Sequence, residues 1–164
     1  MSDFTHTVFL GFGSNVGERD KQIARAAYRL GQAEGLQLLA LSPLYESPAM
    51  LPEGAPELWD KPFINAVAQY ETNRSPEAVL QLAQAEERAA GRKDRGKWGP
   101  RELDVDVLAY DDAVLANDVL TLPHAGIASR DFVILPWRDI APNWTHPNIS
   151  QLAEKLTDIT ARKI

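Results

Sequence analysis

Asp104 and Asp106 stand two residues apart in Leu103-Asp104-Val105-Asp106-Val107-Leu108. On an extended strand, side chains at i and i+2 project from one face, so the two carboxylates lie close together. Such a pair suits Mg²⁺, a hard ion commonly held by one or two carboxylates together with phosphate oxygens and water. The polar face of a half-buried strand gives the same spacing. Directly before the pair runs Gly91-Arg92-Lys93-Asp94-Arg95-Gly96-Lys97-Trp98-Gly99-Pro100-Arg101, a basic, glycine-punctuated loop preceded by Arg88. Phosphoryl transfer needs cations around the phosphate oxygens, and Arg can fork onto two of them at once. A solvated helix end would also carry such charges. Trp98 is suited either to stacking on a base or to anchoring the loop. His124, in Leu122-Pro123-His124, is followed by Arg130 and Phe132; a lone histidine is commonly structural, so it gains meaning only in this company.

Other chemistries are absent. Gly11-x-Gly13-x-x-x-Gly17 follows a strand, but its third glycine is one position late for the dinucleotide fingerprint. The lysine-bearing phosphate loop does not occur, and Ser14 has no nucleophile-elbow context.

The elements that must position these residues follow from periodicity. Thr7–Phe12 is β-prone and ends in the turn signal Gly13-Ser14-Asn15. Ile23, Ala26, Ala27, Leu30 and Ala33 recur at helical spacing between Glu18 and Gly35. Leu36–Tyr45 reads as a second strand limited by Pro43, and Ser47–Pro62 as a long proline-rich loop of the kind that is usually functional or mobile. Phe63–Glu71 alternates as a strand. Ser75-Pro76-Glu77 then supplies an N-cap, a first-turn proline and an early carboxylate for a helix to about Ala90. Leu103–Leu108 and Val119–Leu122 are further strands, and Ile127–Leu135 and Ile149–Ala161 read as helices. Strand, helix, strand, strand, helix, strand is the split order of a ferredoxin-like α+β sandwich, in which helices cover one face of a mainly antiparallel sheet.

The 164 residues are expected to form one domain spanning 1–164. With no cysteine, disulfides, thiolate zinc sites and a cysteine nucleophile are excluded, which points to a cytoplasmic address. No apolar run approaches the roughly 20 residues needed to span a bilayer. A net charge of −6 argues against nucleic-acid and anionic-membrane partners.

At this point the chain resembles the 6-hydroxymethyl-7,8-dihydropterin pyrophosphokinases. Trp98-Gly99-Pro100-Arg101-Glu102-Leu103-Asp104-Val105-Asp106 is similar to the family signature, and Phe9–Asn15, Tyr45–Pro48, Phe63–Ala66 and Leu122–His124 match in type and order. The resemblance implies a ferredoxin-like fold, ATP as co-substrate, and two Mg²⁺ ions on Asp104 and Asp106 bridging the ATP phosphates. It implies that Ser47 and Pro48 line the pterin, that Asn65 bonds its polar edge, and that Phe63 and Phe132 sandwich its ring. On the ATP side it implies Gln84, Glu87, Arg92, Trp98, Arg101, His124 and Arg130, with Arg92 and Arg101 joining the two aspartates as catalytic groups. The pterin hydroxyl would attack the β-phosphorus and AMP would leave, in a monomeric enzyme. The basic loop is one residue shorter than in some members, so the second loop cation is Lys93 or Arg95. Ala125 stands where an aromatic is common. A non-catalytic ferredoxin-like binding module and a metal-dependent phosphohydrolase remain the competing readings.

Overall fold

The computed structural model describes residues 4–49, 51–93, 95, 99–127, 130–147 and 160–164. In chain order these form β1 (His6–Ser14), α1 (Arg19–Gln32), β2 (Leu36–Leu41), β3 (Tyr45–Ser47), a 3₁₀ turn (Glu57–Trp59), β4 (Phe63–Thr72), α2 (Pro76–Ala89), β5 (Asp104–Tyr110), β6 (Leu115–Ala116), β7 (Thr121–Leu122), α3 (Asp131–Ile140) and β8 (Arg162–Lys163). The expected helix at 149–161 lies almost wholly outside the described residues.

Alternation decides the layers. Val8, Leu10 and Phe12 of β1, Ala66, Ala68 and Tyr70 of β4, and Val105 and Val107 of β5 make one apolar face. Ile23, Ala26, Ala27 and Leu30 of α1 and Val79 and Ala83 of α2 cover it. The main sheet runs β5-β1-β4-β3-β8, and β2 pairs with β4. The pairings of β1 with β4 and β5, and of β4 with β2 and β3, are all antiparallel, as the split α+β order requires. Ser75 caps α2 as its sequence predicts, its hydroxyl accepting from the Ala78 N–H at 3.2 Å.

Three features differ from expectation. The segment read as one strand from Leu36 to Tyr45 divides into β2 and β3, because Pro43 has no N–H to give the ladder. Ser42 bridges the break: its N–H donates to the Val67 carbonyl, and its hydroxyl accepts from the Val67 N–H, both at 2.9 Å. The third helix starts at Asp131 rather than Ile127 and runs through Pro136 to Ile140. A proline there forfeits one helical bond, and its burial offsets the loss.

Third, only α1 and α2 share a face. Phe9, Val67, Leu108 and Ala109 are apolar on the opposite side of the sheet, and Val133, Ile134 and Trp137 of α3 cover them together with Ile127. The β1–β5 register shifts between Phe9 and Leu10, pairing Phe9 with Ala109 and Leu10 with Val107. Leu108, already on the α3 side by alternation, is left over as a bulge, so that Ala109 faces α3 as well and Tyr110 returns to the other face. Below the bulge Asp104 and Asp106 alternate with the buried Val105 and Val107, so both acids emerge on the α3 side.

Candidate active site

Opposite the two acids β1 carries no side chains: Gly11 pairs with Asp106 and Gly13 with Asp104. A Cβ on Gly11 would come within 3.3 Å of Leu108, and one on Gly13 within 3.5 Å of the Asn65 amide oxygen. The two glycines therefore form the floor of a cavity of ≈ 240 Å³. One end is lined by Phe63, Phe132, Ser47, Pro48 and Asn65, the other by Asp104, Asp106, Arg101, His124 and Arg130. Asn65 is buried on β4, and its amide N–H donates to the buried Ser47 hydroxyl at 2.8 Å. That bond joins β4 to β3 and fixes which way the polar groups face.

The charged end is a chain of ion pairs. Asp104 lies between two guanidiniums, Arg92 and Arg101, each 3.1 Å from a different carboxylate oxygen. Arg92 also reaches Glu87 at 2.5 Å, and Glu87 accepts the Val105 N–H at 2.9 Å. Burial, reinforced by the Asp104 carboxylate, pushes Glu87 up to about 7 despite those donors. Burial and the same Asp104 charge push Asp106 up to about 7, with Arg130 and Arg101 opposing.

His124 sits 3.8 Å from Asp106 through Nε2. Its Nδ1 accepts the Gly126 N–H at 3.1 Å, which leaves the proton of the neutral ring on Nε2, facing the acids. Burial, aided by Arg130, lowers the imidazole from its usual range.

A second cavity of ≈ 450 Å³ is lined by Gln84, Glu87, Arg88, Arg92, Lys93, Arg95, Pro100 and Arg101. Arg101 lines both cavities, so the two are neighbours across the Asp104 ion pairs. Every site residue named from sequence lines one cavity or the other, except Trp98, which lies outside the described residues. Arg95 is engaged by Glu102 in a fork of 2.7 and 2.8 Å and donates to the Pro100 carbonyl at 3.0 Å. The fork holds the Glu102 carboxyl down at about 2.

Two residues were missed as parts of the site. Asn15, read only as a turn residue, is buried and joins the loops on either side of the cleft. Its side chain donates to the Lys61 carbonyl at 3.0 Å and accepts the Arg101 N–H at 2.8 Å, while its own N–H donates to the Arg101 carbonyl. Glu102, an acid inside a basic loop, was the one local clue to an internal clamp.

Residues 9–142 match the family model for 7,8-dihydro-6-hydroxymethylpterin-pyrophosphokinase (HPPK). The chain belongs to the HPPK family. It is 40% identical over 141 residues to the 2-amino-4-hydroxy-6-hydroxymethyldihydropteridine pyrophosphokinase of Aquifex aeolicus, covering 86% of this chain and 84% of that one. With the Haemophilus influenzae protein of the same name it shares 33% over 155 residues, covering 93% and 94%. It is 37% identical to the folic acid synthesis protein fol1 of Schizosaccharomyces pombe across 92% of its own length, but spans only 20% of that longer chain. Among solved structures, an HPPK-DHPS in complex with substrates superposes with a TM-score of 0.67 at 13% identity, covering 89% of this chain and 42% of the other. Plasmodium falciparum HPPK-DHPS superposes with a TM-score of 0.63 at 16% identity, covering 90% and 42%. These structures establish the HPPK fold for this chain, with its antiparallel sheet and packed helices.

Proposed function

We propose that this chain transfers pyrophosphate from ATP to 6-hydroxymethyl-7,8-dihydropterin, yielding the pterin diphosphate and AMP, in folate biosynthesis. The observation that carries the reading is the meeting of two unlike cavities at Arg101 and Asp104. One offers aromatic rings with buried amide and hydroxyl groups, which suits a flat polar heterocycle; the other is lined by arginines and a lysine, which suits a polyphosphate.

In this reading Phe63 and Phe132 hold the pterin ring between them, Asn65 and Ser47 select its polar edge, and Pro48 closes the wall. Gln84, Glu87, Arg92, Arg101, His124 and Arg130 attend the nucleotide and its phosphates, and the role implied for Trp98 is to shape the basic loop. Asp104 and Asp106 would hold Mg²⁺. Two carboxylates on one strand face, with Asp106 pushed up by burial and by the Asp104 charge, are the donor set such an ion needs. Among the described residues no group of three or more His, Asp or Glu side chains forms a ready-made cage, so phosphate oxygens and water would complete the coordination. Two bound ions would neutralise the phosphate oxygens and polarise the transferred group. Arg92 and Arg101 are released from Asp104 as phosphate arrives, and their forks then stabilise charge on the moving pyrophosphoryl group. His124 offers its Nε2 proton to a phosphate oxygen. The protein's contribution is to align the pterin hydroxyl with the β-phosphorus.

The test is AMP formation from ATP and Mg²⁺ with and without the pterin. AMP that requires pterin, and that falls by roughly 10³-fold or more in Asp104→Ala and Asp106→Ala while both variants stay folded, is the expected result. ADP, or inorganic phosphate released without pterin, would replace this reading with a phosphohydrolase or a monophosphoryl kinase. No turnover by folded wild-type protein would favour a binding module.

A further inference from the structure

We infer that Asp131 and the segment 160–163 form a strap that sets the width of the aromatic cavity, with Asp131 acting as a positioning residue for the heterocycle. The inference rests on the reading of that cavity as the pterin site. Asp131 is the first residue of α3, yet its carboxylate is buried at 6% exposure and bonds a distant part of the chain. One oxygen accepts the N–H groups of Thr160 at 2.6 Å and Ala161 at 2.7 Å, and also faces the Thr160 hydroxyl at 3.3 Å. A buried acid without such donors would be strongly unfavourable, so these contacts hold residues 160 and 161 against the start of α3. On either side of Asp131 in sequence stand Arg130 and Phe132, both lining the cavity.

The other end of the strap grips the opposite wall. Arg162 and Lys163 form β8, which pairs with Glu46 and Tyr45 of β3, and the Ile164 N–H donates to the Leu44 carbonyl at 3.0 Å. Arg162 meets Glu46 at 3.1 Å. Lys163 reaches Asp139 of α3 at 3.3 Å, and the Tyr45 hydroxyl donates to the same carboxylate at 2.5 Å. The next residues of β3 and its continuation are Ser47 and Pro48, which line the same cavity as Phe132 but from β3 rather than from α3. Four residues of chain therefore tie the Ser47 wall to the Phe132 wall. None of them lines the cavity, so they act through the spacing of the groups that do.

Stacking on a ring depends steeply on that spacing, whereas of the groups assigned to the nucleotide only Arg130 adjoins the strap, and its long side chain can still reach a phosphate oxygen after a small shift; the cationic cavity shares no residue with the strap. Asp131→Ala, and separately a chain ending at Ala161, should each raise KM for the pterin by about fivefold or more while KM for ATP stays within about twofold. Asp131→Asn, which keeps one acceptor oxygen, should fall between wild type and Asp131→Ala. An unchanged pterin KM in either the alanine variant or the shortened chain overturns the strap, whatever happens to thermal stability. Wild-type protein lacking pterin-dependent AMP would instead overturn the functional reading. The strap would then be judged by amide hydrogen exchange at Tyr45–Ser47: faster exchange in Asp131→Ala supports it, and unchanged exchange refutes it.

Discussion

Asp106 illustrates how one residue can set a pH dependence. Burial and the neighbouring Asp104 charge push its carboxyl up to about 7, so near neutrality it is partly protonated and unavailable to a metal. If Asp106 holds Mg²⁺ as proposed, a cation and a proton would compete for it. Transfer should fall as pH drops below about 7 at low Mg²⁺, and raising Mg²⁺ should move that acid limb to lower pH. The sign for stability runs the other way in ligand-free protein. Asp106 and Glu87 both hold protons more tightly folded than unfolded, so their contribution is full below about pH 4 and is lost as pH rises towards about 7. Steady-state rates across pH at two Mg²⁺ concentrations check the first statement; an acid limb that ignores Mg²⁺ would remove Asp106 from the metal site.

At the scale of elements, the site depends on close approach as much as on charge. Gly31 near the end of α1 faces β2 so tightly that a Cβ there would lie 2.8 Å from the Leu38 Cβ. Gly31→Ala gains about 1 kcal/mol of helix propensity but forces α1 away from the sheet, at a typical cost of about 1–3 kcal/mol. We expect net destabilisation by urea titration with little change in either KM, and a stabilised variant would show that the α1–β2 contact is soft. The same scale shows what the sequence could convey. The acidic pair was legible because a strand repeats every two residues; Pro43 marked a limit to the second strand, but not that the chain would resume as a separate β3. That α3 covers the other face was not, since the β5 bulge that puts Ala109 beside Leu108 on that face has no local signature. Nor was the role of Asn15, whose partners lie 46 and 86 residues away.

For the whole molecule, β1 sits between β4 and β5 and carries the bare floor of Gly11 and Gly13, so one strand aligns the aromatic end with the acidic end. Asn15, just beyond β1, ties the loops above both ends. Among the described residues no helix is long and apolar enough to cross a membrane, and both helical layers are committed to the sheet. In the proposed reading this arrangement would bring two small ligands together beside Arg101, which lines both cavities. The most direct measurement of that claim follows the phosphorus atoms themselves, using ATP labelled separately at the β and the γ positions and mass analysis of the pterin product. The account predicts both labels on the pterin in equal amounts, with unlabelled AMP released. A product carrying the γ label alone, or both labels appearing only as free phosphate, would contradict it.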